Sequence, residues 1–246
     1  NGLANAFFVN GATDRVGINT NAPADQLHVV AVNATGISAA KFEANSAHGV
    51  PVEINNSRAD TAAEYSIIFQ RDGTTVGAIG GTDNDLTIFS STNVAMQIDG
   101  TGAVIKPNQP AFSVIPSSNQ NNLSNNDVLV FDTETFDVNA DFASNTFTAP
   151  VTGKYLLSFM VRFDDIPENL GYAVIDIITS NREYLFWFSP GTSDESVGIR
   201  SFSNTMLCDM DANDTAKLSY QEGDGGTTGA ADLNANNSRF TGVLIC

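Results

Sequence analysis

No apolar run in the first hundred residues is long enough to build a core alone. The segments 16–18, 26–32, 50–54, 65–69, 75–81, 86–90 and 95–100 are short and strand-like, and Asn, Gly, Asp or Ser cuts each one off. Strands this short gain stability by stacking on copies of themselves, within one chain or between chains. Long stretches with helical periodicity are missing from the sequence. The chain reads as all-β, opening with a repetitive short-strand β stem.

Turn chemistry supports that reading. Asn10-Gly11, Asp72-Gly73 and Asp99-Gly100 accept positive φ and favour tight hairpins. Gly77, Gly80 and Gly81 fall inside a strand-like run, where glycine marks a bulge or a close backbone approach. Lys106-Pro107-Asn108-Gln109-Pro110 is the best boundary, because its prolines extend and stiffen the link. The expected division is a stem over 1–106 and a head over 107–246.

The head shows roughly ten strand-like runs, at 111–116, 128–131, 136–143, 146–149, 153–163, 172–179, 184–188, 197–207, 216–220 and 238–245. That number suits a β-sandwich or jelly roll. The tract 117–127 reads as a loop without apolar content. In 153–163, Tyr155, Leu157, Phe159, Val161 and Phe163 form one face, expected in the core. Leu156 and Met160 lie on the other. Leu185 and Trp187 likewise oppose Tyr184, Phe186 and Phe188, while Tyr172, Val174 and Ile178 oppose Ala173, Ile175 and Ile177. A monomeric sandwich does not need both faces apolar. Leu156, Met160, Leu185 and Trp187 are therefore expected at a subunit interface, in preference to burial under a loop.

A formal net charge of −17, with both halves acidic, leaves no basic patch for phosphates and argues against nucleic acid. Membrane insertion is not expected, since no stretch reaches transmembrane length. Cys208 and Cys246 make no disulfide framework and read as two free, buried thiols, so the chain need not mature in an oxidising compartment. An opening at Asn1 rather than Met implies that upstream residues were removed or belong to a longer polypeptide.

No catalytic or cofactor constellation is expected. Of the two histidines, His28 sits in a Leu-His-Val phrase with a structural reading, and His48 has no placed partner. Segment 77–83 lacks the Gly-Lys-Ser/Thr end of a phosphate loop. Loop acids are the only metal candidates, with calcium as the ion: Asp164, Asp165 and Glu168; Asp194 and Glu195; and Asp209, Asp211 and Asp214. Solvated loop charge is the simpler reading of each group.

Two stem segments resemble trimeric phage tail-fibre stems. DRVGINTNAPADQLHV (14–29) looks like the fibre phrase of a Val-Gly-Ile turn followed by Thr, Pro and Leu-His-Val, and AMQIDGTGAVI (95–105) looks like its companion. Asn19 stands where glycine is commoner, and Ile105-Lys106-Pro107 replaces a further Val-Gly-Ile. The head resembles the complement C1q-like domain, which shares its fold with the tumour-necrosis-factor cytokines. Phe131, Asp137, Phe142, Phe147, Gly153, Tyr155 and Phe159 carry the likeness, as do LCDMDANDTAKLSY (207–220) and SRFTGVLI (238–245). Three departures are a short gap between Phe142 and Phe147, Leu157 in place of Phe, and Asn213-Asp214 in place of Gly-Asp.

The resemblance implies a ten-strand jelly-roll head forming a tight homotrimer on a trimeric stalk. Pro150 would end one strand, Gly153 would turn into the next, and Tyr155 and Phe159 would fill the core. The expected function is a non-enzymatic, receptor-binding phage tail or virion fibre at the virion surface, whose head recognises a host-surface glycan or protein. The alternative is a secreted cell-surface filament or adhesin subunit that donates its N-terminal strand, using the apolar segment 3–9. A capsule depolymerase with its site between stems is the third reading.

Overall fold

The computed structural model describes residues 7–18, 21–23, 27–29, 64–82, 84–166, 170–189, 198–223 and 231–246. The chain divides into two compact units, 1–60 and 61–246. Among the described residues there is no α-helix, only strands and two 3-10 turns at Val138–Ala140 and Ala235–Asn237. No helix there is long and apolar enough to cross a membrane. The all-β expectation holds. Expectations for 50–54, and for His48, Glu168, Asp194 and Glu195, lie outside the described residues.

In the first unit, β1 (Phe8–Asn10) pairs antiparallel with β2 (Arg15–Ile18), and β2 pairs parallel with β3 (Leu27–Val29). Positive φ falls on Asp14 rather than on Gly11, and the Asn10 carboxamide accepts from the Ala12 amide at 3.1 Å. Asn10-Gly11 therefore opens a four-residue turn, not the tight hairpin expected of it.

The second unit begins with a five-stranded antiparallel meander. Its strands are β4 (Glu64–Arg71), β5 (Thr74–Thr82), β6 (Asp85–Ser90), β7 (Asn93–Ile98) and β8 (Val104–Ile105). Asp72 and Gly73 both take positive φ, so that dipeptide makes the two-residue hairpin its sequence announces. At Asp99-Gly100 the left-handed residue is instead Gly102, because the Asp99 carboxylate gathers the amides of Thr101 and Ala103, each at 2.9 Å. These donors hold Asp99 below the usual carboxylate range, the Thr101 hydroxyl contributing most. Across residues 106–110, Asn108 Nδ2 donates to the Val94 carbonyl at 2.8 Å and Gln109 Nε2 to that of Leu244.

The remaining strands form a jelly roll of two facing sheets. They are β9 (Ala111–Ile115), β10 (Asp127–Val128), β11 (Thr133–Asp137), β12 (Phe142–Ala143), β13 (Thr146–Thr148), β14 (Gly153–Asp164), β15 (Tyr172–Thr179), β16 (Glu183–Phe188), β17 (Arg200–Met210), β18 (Thr215–Gly223), β19 (Asp232–Leu233) and β20 (Arg239–Leu244). One sheet runs β11-β9-β20-β14-β17, with β19 beside β14. The other runs β12-β13-β18-β15-β16, with β10 beside β18.

Side chains from both inner faces make the core. The odd-numbered residues of β14, from Tyr155 to Phe163, are all buried, as their alternation requires. Phe112 lies among Phe142, Phe147 and Phe240, with ring centroids 5.1, 4.8 and 5.0 Å away. The Tyr155 hydroxyl donates to the Val151 carbonyl at 2.7 Å, tying the incoming turn to the strand it starts.

Three expected boundaries move. The run 128–131 is a strand only at Val128, because later amides find side chains: Val130 donates to Gln120 Oε1 and Phe131 to Asn145 Oδ1, each at 2.9 Å. The run 136–143 breaks at Val138–Ala140, where Asn139 and Ala140 take positive φ. The tract expected to be a loop over 117–127 ends at Asn126, since β10 begins at Asp127, and Leu123 is wholly buried within it and donates its amide to the Ala231 carbonyl at 2.8 Å. One apolar residue pins that loop.

Candidate subunit interface

The outward face of the β11-β9-β20-β14-β17 sheet follows from its registers. One row crosses four strands as Ala111, Val243, Leu156 and Leu207, all apolar. The next crosses five strands as Phe136, Ser113, Thr241, Ser158 and Thr205, a line of hydroxyls ending on an aromatic ring. Ser158 and Thr205 hydrogen-bond to each other through their hydroxyls. Ser113 Oγ is buried without a partner. A third row carries Arg239, Met160 and Ser203. There an open groove of about 610 Å³ is bordered by Met160, Arg239, Thr133 and Asn236.

Leu156 is half-buried, whereas Met160 and Leu207 are 49% and 54% exposed. Leu185 and Trp187 are also exposed, but they stand on β16, the edge strand of the other sheet. Trp187 rests against Tyr172, with centroids 4.9 Å apart. The four residues singled out in the sequence thus occupy two separate patches of one chain. Leu207, Val243 and Phe136 complete the first patch. Strand register places them beside Leu156 and Ser113 on one face, which their own runs do not disclose.

A family model of the C1q domain matches residues 111–245, more than half of the chain. The chain belongs to the C1q domain family. Among solved structures it is similar to the globular domain of zebrafish complement 1qA protein, at 22% identity over 56% of this chain and 98% of that one, with a TM-score of 0.42. It is also similar to murine APRIL at pH 5.0, at 12% identity over 56% of this chain and 99% of that one, with a TM-score of 0.40. A search of curated proteins gave no match. C1q/TNF-like domains form homotrimers, serve as structural or ligand-binding modules, and occur in secreted or extracellular proteins.

Local geometry accounts for the departures from the C1q phrase. Between β12 and β13, Ser144 and Asn145 both take positive φ, making a two-residue hairpin where the gap is short. Leu157 is wholly buried. Asn213 takes positive φ, the conformation that glycine accepts most readily, and Asp214 caps the turn by accepting from the Asp211 amide at 2.7 Å.

Four of the loop acids of this C1q head, Asp164, Asp209, Asp211 and Asp214, have protein partners. Asp209 pairs with Lys154, whose hydrogen bond and charge hold it below the usual carboxylate range. Asp214 accepts from the Ser180 hydroxyl at 2.9 Å and from Asn181 Nδ2, and Asp211 contacts the Thr152 hydroxyl at 3.5 Å. Asp164 accepts from Arg162 Nε and from Asn234 Nδ2, each at 2.7 Å. Among the described residues, no three His, Cys, Asp or Glu side chains gather as a metal group. Both thiols are free, and Cys208 is buried; Cys246 was expected to be buried but is exposed, because it lies beyond the last strand.

One acid was not legible. On β15, Val174 and Asp176 point away from the core, yet both have no exposed surface. The apolar excess on this strand is therefore partly covered within the chain, unlike that on β16. Asp176 Oδ2 accepts from Ser219 Oγ at 3.3 Å and from Gln221 Nε2, while Oδ1 is buried without a partner. Burial pushes the carboxyl above its ordinary range, against those two hydrogen bonds, and Glu183 adds to the rise.

The folded state thus holds this proton more tightly than the unfolded chain. Its contribution to stability is complete below the ordinary value of 3.8 and is lost as pH rises through the raised one. Asp176→Asn should therefore gain in Tm relative to wild type between pH 4 and pH 7, by about 2–4 °C for each kcal/mol of buried-charge cost removed. Thermal melts at both pH values check this, and a difference independent of pH would contradict it.

Proposed function

We propose that this protein is a receptor-binding fibre of a phage tail or virion. Residues 1–106 form its stem, and a homotrimeric head at 107–246 recognises a host-surface glycan or protein. Membership of a homotrimer-forming family carries the reading. The two apolar patches support it, because cyclic trimers are built from unlike surfaces that meet head to tail. In this reading Leu156 and Met160 of one protomer lie near the threefold axis, and Leu185 and Trp187 serve the contact with a neighbour. Threefold repetition multiplies weak single-site binding. The position is the virion surface, or the extracellular face of a cell if the fibre is cellular. Strand donation by the N-terminus has less support, since Phe8–Asn10 already pairs within its own chain.

The test combines Leu156→Asp with Leu207→Asp. Placing two carboxylates on the apolar row should reduce the particle from three chains to one, with the β-sheet circular dichroism retained. Apparent affinity for arrayed host-surface glycans, or for whole host cells, should fall about 100-fold or more with the loss of avidity. A wild-type chain that sediments as a monomer would overturn the proposal.

A further inference from the structure

We infer that the groove beside Arg239 is a binding site for a sugar that carries a carboxylate. This rests on the receptor-binding reading above and gives it a ligand class and a place. The groove lies at the Arg239 end of β20. The other end of β20 meets the linker, where the Leu244 amide donates to the Pro110 carbonyl at 2.9 Å and the Leu244 carbonyl accepts from Gln109 Nε2. The groove is therefore at the end of the sheet away from the join with residues 1–106.

Charge selects an acid. The exposed Arg239 guanidinium has no ion pair among the described residues, whereas Lys154 is paired with Asp209 and Arg162 with Asp164. In a chain of net charge −17, an unpaired guanidinium is a place where an anion is attracted rather than repelled. Guanidinium and carboxylate match as a fork of two parallel hydrogen bonds. Ser117 and Thr133 also line the groove, and Asp132 between their strands accepts from the Ser117 hydroxyl and amide, each at 2.7 Å. Those two donors hold Asp132 below the usual carboxylate range. An ionised neighbour opposes a doubly charged phosphate more than a single carboxylate.

The remaining walls suit a sugar ring. Met160 and Ile115 offer apolar surface to its C–H face. The side chains of Thr133, Asn236 and Asn237 make no hydrogen bond among the described residues, so their donors and acceptors are open to its hydroxyls. The loop that carries the two asparagines is already fixed. Asn119 Oδ1 accepts from the Ala235 amide at 2.9 Å, Asn234 Oδ1 from that of Asn236 at 3.0 Å, and Ser238 Oγ from that of Arg162 at 3.1 Å. A ligand meeting an ordered loop loses little affinity to ordering it. The volume of about 610 Å³ falls in the range of small-ligand sites, about 300–1,000 Å³.

The full chain tests this by titration calorimetry with trisaccharides ending in glucuronic, galacturonic or sialic acid, each beside its uncharged methyl ester. At least one acid should bind about tenfold tighter than its ester, the effect of one charge-assisted hydrogen bond. The difference should shrink between about 50 mM and about 500 mM salt. Arg239→Gln should bring acid and ester within about twofold, and Arg239→Lys should restore part of the difference, because the ammonium keeps the charge and loses the fork. The bound acid should also slow hydrogen exchange over residues 235–239. No acid preference in any pair, or one that survives Arg239→Gln, would overturn the site; with attachment to host cells intact, the receptor reading would still stand. Acid preference without attachment to any host cell would leave the site and overturn the receptor reading.

Discussion

Phe112→Ala is expected to cost the head about 3–5 kcal/mol, the range for deleting a buried aromatic ring. The ring is 1% exposed and joins the two sheets, since Phe240 lies in its own sheet and Phe142 and Phe147 lie in the facing one. Each neighbour hangs from a different strand, so none can move into the space without breaking its own ladder. The cavity therefore persists, and its cost adds to the lost transfer energy. Trp187, the single tryptophan, lies in the head and gives a fluorescence signal for urea unfolding. A loss below about 1 kcal/mol would mean that the core collapses onto the site.

What the sequence discloses depends on whether a signal is local. The alternation in β14 is local, because successive side chains must point to opposite faces, and every residue it assigned to the core is buried. The Asp72-Gly73 hairpin is local too. Asn10-Gly11 and Asp99-Gly100 look the same in sequence but fold otherwise. There the Asn or Asp side chain competes for nearby amides and draws the chain into a wider loop.

Register is not local, and the missing half of the head surface depends on it. Leu156 stands out within an apolar run, but its row-mates Val243 and Leu207 come from strands distant in sequence. Strands with both faces apolar form a mixed class for the same reason. Met160 and Trp187 stay exposed, while Val174 is covered within the chain. The pattern of apolar residues cannot separate these cases, because cover depends on which segments return to the sheet. Asp176 is hidden likewise, as a carboxylate that becomes buried only when β18 brings Ser219 and Gln221 beside it.

Gly242→Val should destabilise the head by at least the upper end of the roughly 1–3 kcal/mol typical of overpacking. A Cβ at this position would lie 2.4 Å from Phe112 Cε1 and 2.8 Å from Leu157 Cδ2. Neither neighbour is a flexible tip, because Phe112 is held by three rings and Leu157 is wholly buried in β14. The glycine lets the Phe112 ring lie across β20, so the two positions act as one packing unit. Phe112→Leu gives up ring volume where the new side chain needs room. The double variant should therefore lose less stability than the two single losses added together, with a coupling of about 0.5–3 kcal/mol. Equilibrium unfolding of the four proteins of this cycle measures it, and strict additivity would show that the clash is relieved elsewhere.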